Sequence, residues 1–270
     1  MSVQNTWAYE YDGSLDGFLC CVFDGFSRRE DPVQIFPEQE TQGTLYPVRR
    51  VETDSTHAGR VWRSLDKKIS PLAREWVEKG FLCSCPGKEL LLYRFLKLGY
   101  QRGAAVTNML GEPVVNRLFS LVRGISQEAH LLTGFVRFEE HQGVLAARIE
   151  PKGFVLPLIA PHFAGRFSGE AFLIHDLTHG AVLLHRPGEY RIIAAEHLEL
   201  PPLSPGEAEF QRMWKGYYDA IAIRERENPR CRLCHMPRRY WAHMVEMSPR
   251  GPGDDAPCSP LPSQAVRALP

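Results

Sequence analysis

Phe172-Leu173-Ile174-His175, Ala181-Val182-Leu183-Leu184-His185 and Tyr190-Arg191-Ile192-Ile193 are three apolar runs separated only by Asp176 to Gly180 and by Arg186-Pro187-Gly188-Glu189. Such short runs, rich in branched and aromatic side chains, favour strands over helices, and the Asp-, Gly- and Pro-bearing links carry turn chemistry. Neither link has the dozen or so residues that a parallel crossover needs, so the strands are expected to form an antiparallel meander.

Upstream, Gly134-Phe135-Val136-Arg137-Phe138-Glu139 and Val144 to Glu150 are β-like runs joined by Glu140-His141-Gln142-Gly143, which favours a hairpin. The remaining pattern is largely helical. Ser14 caps an amphipathic segment carrying Leu15, Phe18, Leu19, Val22, Phe23 and Phe26. Further helices are expected from Ala58 to Glu78, split or bent at Pro71, from Glu89 to Tyr100, from Pro113 to about Leu131, and over Val155 to Phe167. Trp7 to Tyr11 and Val33 to Phe36 read as short strands. Ser204, Pro205 and Glu207 form a capping box that leads into Phe210, Met213, Trp214, Tyr217 and Ile221, a helix ended by Pro229.

The expected fold is therefore α+β: an antiparallel sheet with helices packed mainly on one face, in a single main domain over residues 1–248. Residues 249–270, rich in Pro, Gly and Ser, are expected to form a disordered tail. A chain of 270 residues that is 44% apolar can bury a substantial core. Lys plus Arg and Asp plus Glu balance at 32 each, so no long-range field draws a polyanion to the whole molecule, and any nucleic-acid contact must be local. No run approaches the roughly 18 apolar residues needed to span a membrane, and Met1 to Asn5 have no leader pattern. Seven cysteines, with Cys20 and Cys21 inside a helical pattern, suit buried free thiols in the cytoplasm.

Four segments carry a family resemblance: Tyr11-Asp12-Gly13-Ser14 leading into Gly17-Phe18-Leu19-Cys20; Glu128-Ala129-His130 with Gly134-Phe135-Val136-Arg137-Phe138; Leu156-Pro157-Leu158-Ile159-Ala160-Pro161-His162-Phe163-Ala164; and Met236-Pro237-Arg238-Arg239-Tyr240-Trp241. Over about Trp7 to Glu246 the chain resembles a bacterial family of unknown biochemical function labelled as DNA metabolism or DNA repair proteins. The resemblance implies a gene neighbour encoding a radical SAM protein as partner, and kinship with domains fused to uracil-DNA glycosylase-like domains. It supplies no catalytic residues. In that family a tyrosine commonly precedes the aspartate matched by Asp176 and a basic residue follows it, where this chain has His175 and His179. The segment before Leu156 is also more acidic there than Lys152-Gly153-Phe154-Val155.

The densest polar set associated with the sheet is Glu128, His130, Arg137, Glu139, His162, Arg166 and Asp176. His162 and Arg166, four apart, share a helix face, and Arg137 and Glu139 would share one face of their strand. If these faces converge, a histidine beside a carboxylate can move protons and paired arginines can grip a phosphate. The alternative is an ion-pair network that ties helix to sheet.

From Lys215 to Arg250, eight basic residues against four acidic ones leave an excess of four positive charges. Within that stretch Arg238, Arg239, Tyr240 and Trp241 combine charge with stacking surface suited to single-stranded or flipped nucleic acid, unless the aromatics are core anchors. Cys231 and Cys234 have half-site zinc spacing, with Cys83 and Cys85 as the other conceivable half, but incidental thiols are the favoured reading. The Cys-x-x-Cys-His string also matches a haem attachment motif, which needs an export context. No cofactor is expected, since the chain has no phosphate-binding glycine loop, nucleophile elbow, His-Glu-x-x-His motif or three-cysteine radical SAM motif.

These readings lead to an accessory or processing factor in DNA metabolism, with DNA as a possible partner. The alternatives are an enzyme using the His/Arg/Asp pocket and a protein-interaction module without nucleic-acid affinity.

Overall fold

A computed structural model describes residues 7–38 and 43–247, so the expected 249–270 tail lies outside the described residues. They fall into two compact units that divide between Ser126 and Gln127, each treated by itself below.

The first unit contains a three-stranded sheet in the order β2-β1-β3, formed by β1 (Ala8–Tyr11), β2 (Gln34–Pro37) and β3 (Val48–Arg50). Both pairings are parallel, with Tyr9 opposite Ile35 and Arg49, so this sheet departs from the expected antiparallel one. Its first connection is α1 (Leu15–Arg28), whose length permits the crossover that a parallel pair requires. Ser14 caps α1 as expected, its side chain accepting from the Gly17 amide at 2.9 Å. The helical stretch around Pro71 is split: α2 (Ser55–Lys68) ends, Ser70 caps α3 (Pro71–Phe81), and Pro71 occupies its first turn. These helices and α4 (Lys88–Arg102) close a core around Phe18, Leu65, Val77, Leu92, Phe95 and Leu96. Cys20 and Cys21 are buried free thiols there, and burial raises the pKa of both.

Helix α5 (Pro113–Phe135) runs four residues beyond the expected end and absorbs the start of the expected Gly134 to Glu139 strand. The local composition is β-like, but the buried stripe Ile125, Ala129 and Leu132 extends the helical period. Phe135 packs against Tyr240, the rings tilted and their centroids 5.6 Å apart. Arg137 closes the helix end by donating to the carbonyls of Gly134 at 2.9 Å and Val136 at 3.2 Å. Only Glu139 of the expected strand is extended, opening β4 (Glu139–His141).

The second unit carries a five-stranded sheet ordered β4-β5-β6-β7-β8, with β5 (Val144–Ile149), β6 (Phe172–Asp176), β7 (Ala181–Arg186) and β8 (Glu189–Ala194). The expected β4-β5 hairpin forms through Gln142 and Gly143, both at positive φ (50° and 90°), as a two-residue primed turn requires. The β6-β7-β8 meander is antiparallel as expected. The pairing of β5 with β6 is parallel, making the sheet mixed. The cause lies between those strands: α6 (Leu156–Arg166) carries the chain back to the starting end, so β6 enters in the direction of β5.

Strand alternation gives this sheet two distinct faces. Phe172, Ile174 and Asp176 lie on the face covered by α6, which packs on β7 and β8. Phe138 meets Phe163 of α6 and Phe172 of β6 edge-on, each at 5.6 Å. The other face carries Ala146, Leu173 and Val182 and is covered by Ala195, Leu198 and Leu200, from a strap without regular structure. Two buried histidines on that face hold the strap down: His175 Nε2 donates to the Ala195 carbonyl at 3.2 Å, and His141 Nδ1 to that of Pro201 at 2.7 Å.

The strap leads to α7 (Glu207–Ile221). The expected capping box is absent because its groups bind elsewhere. Ser204 Oγ accepts from the Gln142 amide at 3.0 Å, and Glu207 Oε2 from the Glu140 amide at 3.1 Å, so both residues tether the β4-β5 hairpin. Two 3-10 turns (Arg224–Arg226 and Arg238–His243) flank α8 (Pro229–His235). Among the described residues, no helix is long and apolar enough to cross a membrane.

Candidate functional site

Among the described residues of the second unit, three polar knots are built around expected site residues. The first is Glu128, a buried carboxylate on α5. It accepts from the backbone amides of Lys152 at 3.1 Å and Gly153 at 3.0 Å. It also pairs with Arg239 at 3.0 Å and accepts from Tyr240 Oη at 3.4 Å. Arg239 donates in turn to Tyr240 Oη at 2.5 Å. The segment 150–154 before α6 and the Met236 to Trp241 segment are thereby tied to one carboxylate. Tyr240 is buried, which pushes its phenol pKa up, and Trp241 Nε1 donates to the Met236 carbonyl at 3.0 Å. Of the four residues expected to face nucleic acid, Arg239, Tyr240 and Trp241 make contacts within the fold, although Arg239, like Arg238 beside the Trp241 ring, is exposed.

The second knot joins Arg137 to Glu246. The guanidinium reaches Oε1 at 2.6 Å and 3.2 Å, the Glu246 side chain is only 2% exposed, and Trp214 Nε1 donates to its Oε2 at 3.2 Å. Burial opposes ionisation of Glu246, but the Arg137 and Trp214 hydrogen bonds and the arginine charge outweigh it and lower its pKa. Arg137 therefore joins the end of α5, α7 and the 244–247 turn.

The third knot is Asp176 with His179, where β6 turns toward β7. Asp176 Oδ1 accepts from the amides of Thr178 at 3.0 Å and His179 at 3.1 Å, an Asx turn, while Oδ2 accepts from His179 Nδ1 at 2.7 Å. The carboxylate is fully buried, and burial raises its pKa despite those donors. His179 is buried too, with Phe154 edge-on at 5.6 Å. Asp176 and His179 have the geometry of a carboxylate-oriented imidazole that can exchange a proton.

The other candidates stand apart. His130 is exposed on α5, and His162 and Arg166 are exposed on α6 against Phe163 and Phe167 rather than against Arg137 or Asp176. Glu139 accepts weakly from Gln211 at 3.4 Å and lies 3.7 Å from His141 Nε2, a buried atom with no hydrogen-bond partner among the described residues. The expected pocket of His130, Arg137, Glu139, His162, Arg166 and Asp176 is thus distributed over separate places. Cys231 approaches His235 Nδ1 at 3.6 Å and Cys234 is exposed. No group of three or more His, Cys, Asp or Glu among the described residues is placed to hold a metal ion.

A family model described as a domain of unknown function, DUF4130, matches residues 86–246, more than half of the chain. The chain belongs to this family. The DUF4130 match contains all three knots and both sheet-facing histidines, whereas β1 to β3 and α1 to α3 lie outside it. No curated protein and no solved structure matches the chain.

Sequence reasoning named Glu128, Arg137 and Asp176 but neither Glu246 nor His179 as a partner. A local signal existed for His179, since Asp-x-x-His after a strand fits an Asx turn. None existed for Glu246, which is 109 residues from Arg137.

Proposed function

We propose that this DUF4130 protein is an accessory or processing factor in cytoplasmic DNA metabolism, acting with a radical SAM partner on damaged or modified DNA. The setting rests on the four segments that resemble DNA metabolism proteins. The accessory role rests on one observation: Glu128, Arg137 and Glu246 are closed into knots that hold the second unit together, and the remaining charged candidates are dispersed. A converged open pocket would have favoured an enzyme, whereas dispersed and ion-paired side chains favour a protein whose chemistry is supplied by its partner. Co-expression with the radical SAM neighbour, followed by DNA binding of the complex and of the isolated chain, tests the proposal. A stable complex with salt-dependent DNA affinity supports it. A stable complex without DNA affinity leaves a protein-interaction module, and no complex at all overturns the reading.

A second reading is favoured by Asp176 and His179 alone. Their 2.7 Å contact suits proton transfer on a nucleotide or nucleic-acid substrate. Turnover by the isolated chain that disappears in both Asp176→Asn and His179→Gln, with folding intact, would establish the enzyme reading. Unaltered cellular function of both variants would remove it.

A further inference from the structure

The large apolar side chains of α7 stay largely exposed, although Trp214 is tied to the unit that carries it through its indole N–H to Glu246 Oε2. Ala208, Gln211, Lys215 and Tyr218 form its half-buried to buried side. The stripe of Phe210, Met213, Trp214, Tyr217 and Ile221 remains exposed, at 65% for Phe210 and 56% for Tyr217. An amphipathic helix ordinarily turns this stripe inward, and five large apolar residues on one helical face make a contiguous patch of the kind that marks an interaction site.

We infer that this face pairs with α7 of a second copy, antiparallel, about a two-fold axis passing near residues 215 and 216. Two observations select that occupant. Phe210, Trp214, Tyr217 and Ile221 are spaced by four, three and four residues, a series that reads the same in either direction. An antiparallel copy therefore sets Phe210 against Ile221 and Trp214 against Tyr217, the self-complementarity that a two-fold interface requires. Covering the five side chains in both copies buries on the order of 1,000 Å², at the threshold for a specific interface, which makes a reversible dimer rather than an obligate one. Zero net charge on the whole chain adds no long-range repulsion between copies.

The test is the solution mass of the full chain by light scattering and sedimentation over a range from below micromolar to tens of micromolar. The expected result is a concentration-dependent approach to twice the 30.7 kDa chain mass. Tyr217→Glu, at an exposed position, should leave circular dichroism unchanged and raise the dissociation constant at least tenfold. A monomer at every concentration overturns the inference. So does a dimer indifferent to Tyr217→Glu, or a monomer whose α7 face instead binds a single-stranded oligonucleotide in a manner abolished by Tyr217→Glu.

Discussion

The buried carboxylate of Glu128 accepts a hydrogen bond from Tyr240 Oη across 112 residues of sequence, and Arg239 completes the contact with an ion pair at 3.0 Å. One side chain thereby fastens α5, the 150–154 segment and the C-terminal turn.

Removing the carboxylate should be far more damaging than removing the phenol oxygen. Glu128→Ala leaves the amides of Lys152 and Gly153 without their acceptor, and a loss of roughly 3 kcal/mol is expected from unsatisfied backbone donors, whereas exposed Arg239 keeps Tyr240 Oη. Tyr240→Phe keeps the ring on Phe135 and should cost only about 1 kcal/mol, the net value of an ordinary hydrogen bond. Urea denaturation of both variants measures the difference. Equal, small losses would show that the knot is incidental.

Arg137→Ala leaves Glu246 buried without its cation, and a loss of roughly 3 kcal/mol is again expected at neutral pH. The pH dependence has a definite sign. Because the folded-state pKa of Glu246 is lowered, its contribution is present above the unfolded carboxylate pKa and is lost as pH falls through the folded value. The gap between wild type and Arg137→Ala should therefore narrow in acid. Trp214, which donates to Glu246, gives a fluorescence readout of the same event.

The strap over the second sheet face should loosen in mild acid. Burial lowers the pKa of His175, against the hydrogen bond to Ala195 and the nearby Asp176 charge, while Arg148 and His197 add to the lowering. A histidine held neutral in the fold stabilises it above its unfolded pKa of about 6.5 and loses that contribution as pH falls toward the folded value. The protection factors of amides in residues 195–200, corrected for the slower intrinsic exchange in acid, should fall as pH drops below about 6.5. In His175→Leu that fall in protection should be reduced.

Exposed His162 and Arg166 carry none of these contacts, so the double alanine variant should keep wild-type stability within about 0.5 kcal/mol and support normal cellular function. A folded double variant that fails in cells would return these residues to the list of catalytic candidates.

How far the sequence could be read depended on whether the deciding forces were local. Ser14, Ser70 and Pro71 set helix starts through contacts within one turn, and the helices there begin where their residues indicate. The β6-β7-β8 meander was legible because its turns are encoded in the links themselves. Phe135-Val136-Arg137-Phe138 misled because its β-like composition is also acceptable at a helix end, and Tyr240, far along the chain, decides the matter. The direction of β6 was missed although α6 was anticipated, because direction follows from how the helix returns across the sheet. Ser204 and Glu207 had capping spacing, but the same atoms also satisfy two hairpin amides. At the candidate site the residue types were legible and the pairings were not. Sequence alternation sets Arg137 beside Glu139 on a strand that does not form, and the partner of Arg137 is Glu246.

We propose that this chain acts through a partner, Glu128, Arg137 and Glu246 serving to hold its second unit together. Co-purification of the full chain with the radical SAM protein, assayed for DNA binding and for turnover by each component, tests it most directly. The account predicts a stable complex that binds DNA in a salt-dependent way, with no turnover by the isolated chain. Turnover by the isolated chain that is lost in both Asp176→Asn and His179→Gln, without any complex, would contradict it.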